Sequence, residues 1–223
     1  MNFMRRNWYY VGGVLFIAMG VALVALWGDM SMLRRLMWMS FMALLVHQFE
    51  EYAWPGGFPA IMNIAWQRKE GTNPDRCPLN QQSALFVNVV FAYPFYILPI
   101  AFPNLVWLGL AQALFGMGQL GVHGVLVNKK MHSIYNPGMF AVVFLHWPIG
   151  ICYIYYIYSQ GLAIIWMWPV AIAIVALFAF LFVNMPVQRW FNDPNSPYPF
   201  SETTMARFKV QEKLAERDAK IGR

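Results

Sequence analysis

Long runs of hydrophobic residues, separated by short polar stretches, dominate this chain of 223 residues. A helix that crosses a bilayer needs roughly 20 mainly apolar residues, and six segments of the chain meet this requirement. They are residues 8–27, 36–54, 83–102, 104–127, 138–158 and 162–185. The pattern therefore predicts an all-α fold, a polytopic membrane bundle of about six transmembrane helices.

The composition supports a membrane protein. Hydrophobic residues make up 59% of the chain and charged residues only 12%, whereas soluble domains carry about a quarter charged residues. The net charge of +6 could indicate a nucleic-acid partner, but the basic residues flank the apolar runs. We therefore expect membrane lipid, and no nucleic acid, as the partner. Two cysteines are too few for a disulfide framework.

The placement of lysine and arginine predicts the orientation, because cytoplasmic loops carry an excess of both. With a cytoplasmic N-terminus, only Arg34 and Arg35 of the sixteen basic residues lie outside. The sequence therefore predicts that both termini are cytoplasmic (N-in/C-in). We expect an integral protein of a bacterial inner membrane.

The same pattern predicts two regions. Residues 1–190 form the six-helix transmembrane domain, and residues 191–223 form a cytoplasmic tail in which Ser201 caps an amphipathic helix. The longest connection, residues 55–82, is a cytoplasmic loop. Apolar residues at helical spacing within it predict a short interfacial helix on the membrane surface; they are Phe58, Ile61, Met62, Ala65 and Trp66.

Ionisable residues inside a membrane span are rare and suggest function. His47, Glu50 and Glu51 form an H-x-x-E-E run near the end of the second predicted helix. At 100° per residue, Glu50 and Glu51 lie about 60° and 40° to either side of His47. The three side chains therefore share one helix face.

Other predicted helices carry polar residues at a similar depth. From the rise per residue, His123 lies about 9 Å from the cytoplasmic end of the fourth helix and Asn88 about 8 Å into the third. Gln119 lies one turn deeper than His123, and His146 about 12 Å into the fifth helix. We expect these groups to form one polar layer near the cytoplasmic side.

A histidine and a carboxylate three or four residues apart on a helix can bind one metal ion, and a second histidine completes a three-ligand site. His47, Glu50, Glu51 and His123 could thus bind divalent zinc or iron with a position left open for water or substrate. Alternatively, two carboxylates shielded from water form an acid/base pair without a metal. Both chemistries make Glu50 and Glu51 the candidate catalytic residues.

Three further residues could support this site. Asn88 and Gln119 either orient the ligands or link helices by hydrogen bonds. Tyr135 begins the segment Tyr135-Asn136-Pro137-Gly138, a strong turn signal before the fifth helix. Its hydroxyl either lies at the interface or points into the polar layer.

Two other features have structural interpretations. His146 precedes Trp147-Pro148, which suggests that it binds backbone groups freed by the proline. Glycines in the fourth helix favour close helix packing, with room for a ligand beside His123 as the alternative; they are Gly116, Gly118, Gly121 and Gly124.

The H-x-x-E-E run, a later histidine and the Tyr135–Gly138 segment together resemble the HXXEE family of small multi-helix membrane proteins. That family shows a further histidine and a Y-x-P-G element, and the resemblance covers roughly residues 36–185. His123 best matches the further histidine, with His132 as the alternative. The family has no established activity, so the resemblance implies an active site and names no substrate.

A second resemblance is weaker. Intramembrane glutamate proteases of the CAAX-processing type also combine adjacent glutamates with histidine and asparagine from other helices. In those proteins an arginine follows the glutamate pair, whereas Tyr52-Ala53-Trp54-Pro55 follows Glu51 here. The shared feature is the chemical logic of the site.

We therefore hypothesise a membrane-embedded enzyme that acts on a lipid or apolar substrate from the cytoplasmic leaflet. A proton-coupled transporter is the first alternative, because intramembrane glutamate and histidine also form proton relays. The second is an accessory subunit of a membrane complex.

Overall fold

A computed structural model of the chain describes residues 2–221, and 77% of the chain is helical, with no strand in this range. The predicted all-α class is confirmed. Six helices are long: α1 (Asn2–Ala25), α2 (Met32–Tyr52), α4 (Gln81–Ala101), α5 (Val106–Met131), α6 (Met139–Ser159) and α7 (Met167–Trp190). A short helix, α3 (Phe58–Ala60, continuing as Ile61–Trp66), follows α2. Two more short helices, α8 (Glu202–Ala206) and α9 (Val210–Ile221), follow α7.

Five of the six long helices are long and apolar enough to cross a membrane, namely α1, α4, α5, α6 and α7. The remaining helix, α2, has 21 residues but carries two arginines near its start and two glutamates near its end. Crossing by α2, and the orientation of the bundle, stay predictions.

The last long helix begins at Met167 rather than near residue 162, where the apolar run begins. The reason lies in the end of α6, where Leu162 and Ala163 both donate their N–H groups to the carbonyl of Ile157. These bonds satisfy a carbonyl that the helix leaves open at its C-terminus. They also hold residues 160–166 in a turn.

The helices α4 to α7 contain π-helical turns, in which hydrogen bonds run from residue i to residue i+5. These turns are Phe86–Phe91, Gly121–Val127, Val142–His146, Ala179–Asn184 and Pro186–Trp190. They lie in the first half of α4 and α6 and in the second half of α5 and α7. Short turns connect these helices in antiparallel order, so all five π turns lie at one end of the bundle, together with the end of α2. We call this the site end.

The opposite end of the bundle is a packed apolar core. Met37, Leu110 and Ile157 are almost fully buried there. Tyr153 is also buried, and its hydroxyl donates to the carbonyl of Val106 over 2.9 Å. This core orients the helices whose other halves form the site.

A folded connection covers the site end. Helix α3 is buried from Phe58 to Asn63. The Asn63 side chain donates to the carbonyls of Pro74 and Leu79 and accepts from the Leu79 N–H. These bonds bind the loop to α3, whose position relative to a membrane surface stays a prediction.

The tail also packs on the site end, and it forms two helices rather than one. Ser201 caps α8 by accepting from the Thr204 N–H. Positive φ at Phe208 (61°) then breaks the helix before α9. Arg207 lies at this break, and its guanidinium donates to the carbonyls of Tyr52 and Ala53 over 2.7 and 2.6 Å. The tail therefore contacts the end of α2.

Candidate metal centre

Three buried side chains meet at the site end of the bundle. His47 and Glu51 lie one turn apart on α2, and His123 comes from the π turn of α5. The carboxylate oxygen Oε1 of Glu51 lies 3.6 Å from His47 Nε2 and 3.5 Å from His123 Nε2. All three ligand atoms lie within 4.8 Å of one another, so the group could hold a metal ion.

These distances fit a shared ion better than direct hydrogen bonds. An N–H···O bond usually joins atoms about 2.7–3.2 Å apart. Tetrahedral zinc with bonds of about 2.0–2.2 Å separates its ligand atoms by roughly 3.4 Å. The two nitrogen–oxygen distances of 3.5 and 3.6 Å match the second geometry.

The tautomer of His47 also suits metal binding. Its Nδ1 lies 3.0 Å from the backbone oxygen of Gly138. A carbonyl only accepts, so Nδ1 carries the proton and the lone pair is on Nε2, beside Glu51. Metal-bound histidines usually donate their other ring nitrogen in this way.

His123 is held in the same manner by Asn136. Its Nδ1 lies 2.7 Å from Asn136 Oδ1. The Asn136 amide nitrogen donates to the His123 carbonyl and to Asn128 Oδ1, each over 2.7 Å, which fixes the amide with Oδ1 as the acceptor. The proton of His123 is therefore on Nδ1, and Nε2 is free to bind a metal.

Asn136 is a contact of the candidate centre that the sequence interpretation missed. Its place in an Asn-Pro-Gly turn explained it as a turn residue, although it is fully buried. The available signal was its position beside Tyr135, which was already a candidate.

Gly138 is required where the two histidines meet. Its φ is +100°, a conformation that favours glycine. A Cβ atom there would lie 2.5 Å from His123 Cε1 and 2.9 Å from His47 Cε1. Both imidazoles therefore pack directly on the Gly138 backbone.

The structure does not bring Glu50 to the group, although the sequence predicted it there. Its carboxylate accepts from the Tyr135 hydroxyl at 2.7 Å and from the N–H groups of Phe140 and Ala141 at 3.1 and 3.0 Å. Those N–H groups belong to the first turn of α6, where a helix favours negative charge. The two adjacent glutamates thus point about 100° apart, one to the start of α6 and the other to the histidines.

The Tyr135 hydroxyl points into the polar layer and not to the interface, which were the two positions predicted for it. Burial and the hydrogen bond to Glu50 hold the pKa of its hydroxyl well above the usual range. The hydroxyl therefore stays protonated and donates to the carboxylate.

The predicted supporting residues Asn88 and Gln119 line a cavity beside the group. Asn88 donates to the carbonyl of Ala84 over 2.9 Å, and its own carbonyl accepts from Gln48 over 2.8 Å. Asn88 thus links α4 to α2.

The two remaining histidines differ from each other. His132 is exposed at the end of α5 and lies outside the group, so His123 is the partner of the motif. His146 is buried, with its ring centre 5.8 Å from that of His47. Its Nε2 has no hydrogen-bond partner within residues 2–221, contrary to the predicted bond to freed backbone. Gly116 leaves room for it, since a Cβ there would lie 2.5 Å from His146 Nδ1.

A cavity of about 370 Å³ adjoins the three candidate ligands, and all three contribute to its wall. This volume lies in the usual range for small-molecule sites, roughly 300–1,000 Å³. A metal held by three protein ligands keeps a position open for water or substrate. The cavity would provide space for such a water or substrate beside the three ligands.

Comparison with known proteins gives one finding. The sequence model of a family described as proteins of unknown function with an HXXEE motif matches residues 38–153, a little more than half of the chain. No curated protein and no solved structure matches the chain.

Proposed function

Because the chain belongs to the HXXEE family of proteins of unknown function, we propose that the motif is the centre of a membrane-embedded, metal-dependent enzyme. The substrate is a lipid or another apolar molecule that arrives from the cytoplasmic leaflet. One observation carries the proposal: His47, Glu51 and His123 bring three buried ligand atoms within 4.8 Å of one another beside a cavity, and an oxygen acceptor holds the Nδ1 atom of each histidine.

The proposed topology has six crossings with both termini cytoplasmic, in a bacterial inner membrane. Helix α2 is the sixth crossing, since its two arginines and two glutamates lie near opposite ends. The arginines have partners at the end opposite the site: Arg34 donates to the Ile100 carbonyl, and Arg35 lies 4.5 Å from the Trp27 ring centre. This arrangement gives α2 a continuous middle section for the bilayer.

The proposed ion is Zn²⁺ or Fe²⁺, because two imidazoles and one carboxylate suit both. Such an ion supplies Lewis acidity, which polarises a substrate oxygen or activates water. The protein supplies the rest: Gly138 and Asn136 fix the imidazole tautomers, and the cavity orients the substrate.

The two glutamates have different proposed roles. Glu51 is a metal ligand. Glu50 is a positioning residue, because its carboxylate binds the start of α6 and Tyr135 rather than facing the cavity. The catalytic role predicted for Glu50 from the sequence is therefore not part of this proposal.

Metal content tests the assignment. After growth with zinc and iron, purified wild-type protein should retain about one ion per chain, as expected for a single three-ligand site. His47→Ala, His123→Ala and Glu51→Gln should lose it. Glu50→Gln should retain it, because the remaining side-chain oxygen can still accept from Tyr135 and Phe140, and only the bond from the Ala141 N–H is lost.

His132→Ala is the matched control and should bind metal like the wild type, since its exposed ring lies outside the group. A wild-type protein without metal after this preparation would refute the metal-dependent mechanism. An activity that survives without metal but disappears in Glu51→Gln would instead favour acid/base catalysis.

A further inference from the structure

The cavity beside the metal centre has an unusual distribution of charge. Among the described residues that line it, no lysine, arginine or aspartate is present. Its only ionisable groups are the three candidate ligands and Tyr52. A charged ligand would therefore meet no counter-ion except the metal centre itself.

We propose that this cavity binds an uncharged amphiphile with a single alkyl chain, such as a long-chain alcohol, aldehyde, ester or amide. The polar end lies at the metal centre, and the chain extends away from the site end. This inference rests on the proposed function, because it takes the cavity to be the substrate site.

The deep half of the cavity is apolar. Leu44 contributes to its wall about 10 Å further along α2 than Glu51, at 1.5 Å per residue. Phe115 and Phe178 also line it, with ring centres 5.1 Å apart. Phe178 stacks in turn on Phe95 at 4.2 Å. These aromatic side chains give this part of the cavity an apolar wall that suits an alkyl chain.

The volume limits the number of chains. At about 30 Å³ for each water-sized group, roughly a dozen such groups fill 370 Å³. A methylene group has a similar size, so the space corresponds to one alkyl chain.

The wall nearer the metal centre and the mouth carries neutral polar groups. Asn88, Gln119, Asn184 and Gln188 contribute amides, and Gln188 donates to Gln67 at the mouth. Amides can donate to and accept from a hydroxyl or carbonyl group. They do not compensate a full charge, whose transfer from water is very costly without a paired ion. Apart from the metal centre, the lining therefore favours an uncharged polar end.

Three probes of equal chain length test the inference: dodecan-1-ol, dodecyl phosphate and dodecyltrimethylammonium. Each is added to the full chain in phosphatidylcholine nanodiscs, and native mass spectrometry counts bound metal and bound probe together. We expect one dodecanol per chain, with dodecyltrimethylammonium bound at least about tenfold more weakly, the factor that 1.4 kcal/mol produces. Dodecyl phosphate should bind equally weakly once a chelator has removed the metal, because the ion is the one charge in the cavity that could compensate the phosphate. Equal binding of either charged probe under these conditions would overturn the inference.

The glycines of α5 provide a matched pair of variants. Gly118 lines the cavity and Gly121 does not, and a Cβ at either position meets nothing within 4 Å. Gly118→Leu should fill the cavity and weaken dodecanol binding about tenfold or more. Gly121→Leu should bind like the wild type. Undiminished binding in Gly118→Leu would place dodecanol elsewhere and refute the assignment.

The two proposals fail in distinguishable ways, because metal and probe have separate masses. Selective dodecanol binding by a metal-free chain would refute the metal centre and leave the cavity assignment standing. Bound metal without selectivity for dodecanol would refute the cavity assignment and leave the metal centre standing.

Discussion

The turns at the two ends of α6 share a glycine but differ in what they contact. Both contain a glycine with positive φ, Gly138 before the helix and Gly161 after it. Around Gly161, the hydrogen bonds given by the structure run within residues 156–168. Around Gly138, they reach Glu50 and His47 on α2 and His123 on α5.

This difference shows how a simple turn becomes part of a binding site. Three residues of the Tyr135–Gly138 segment each bind one residue of the candidate site. Tyr135 donates to Glu50, Asn136 fixes His123, and the Gly138 carbonyl fixes His47. In this chain the H-x-x-E-E run and the turn therefore have a direct physical connection, in which the turn orients the candidate ligands.

The largest effect is expected for Gly138→Ala. The added methyl group would collide with both imidazoles, and alanine would also be strained at a φ of +100°. We expect metal affinity to fall by more than about 100-fold, beyond the roughly 10–100-fold typical of outer-shell changes. Zinc titration of the purified, metal-stripped protein measures this effect.

Gly161→Ala is the control at the other turn, where a Cβ meets nothing within 4 Å. It should cost about 1 kcal/mol of stability through backbone strain and leave metal affinity unchanged. Equal metal affinities in the two variants would remove the distinction between the turns.

Asn136→Leu should have the second largest effect. It removes the acceptor that fixes His123 Nδ1, and such outer-shell losses cost about 10–100-fold in metal affinity. Asn136→Asp should weaken binding less, since it keeps an oxygen beside Nδ1. Gln160→Leu, in the exposed turn, should bind metal normally; a similar loss there would point to a general effect on folding.

The smallest effect is expected for Tyr135→Phe. Glu50 would keep its two backbone donors, so metal affinity should change only a few-fold. Stability should fall by about 1 kcal/mol. A fully buried hydrogen bond to a charged group contributes roughly 1.5–3 kcal/mol, but Tyr135 is 37% exposed. Thermal unfolding in detergent measures this loss of stability.

Tyr158→Phe is the counterpart at the far end of α6, where the Tyr158 hydroxyl accepts from Trp168 Nε1. It should cost less than Tyr135→Phe, since the lost bond is neutral and exposed. The reverse order would show that the Tyr135–Glu50 contact adds little.

The sequence predicted the helical class and the pairing of His47 with His123, because both follow from local properties. Apolar run length reports membrane helices, and depth along each helix follows from the rise per residue. The π turns could not be predicted this way, since they depend on how neighbouring helices pack.

The choice between Glu50 and Glu51 also lay beyond the sequence. Both side chains lie within about 60° of His47 on the helix. What separates them is the position of the first turn of α6, whose N–H groups bind Glu50. Asn136 was missed for a related reason: its turn chemistry gave a sufficient local explanation, and its contact with His123 is tertiary.

Arg207 sets an order of events during biosynthesis. The carbonyls of Tyr52 and Ala53, directly after the motif, receive its guanidinium across 155 and 154 residues of chain. The ribosome must therefore translate the chain as far as Arg207, beyond all the long helices, before this contact can form. Until then the end of α2 lacks its final partner, so the candidate site matures only after all the long helices have been made.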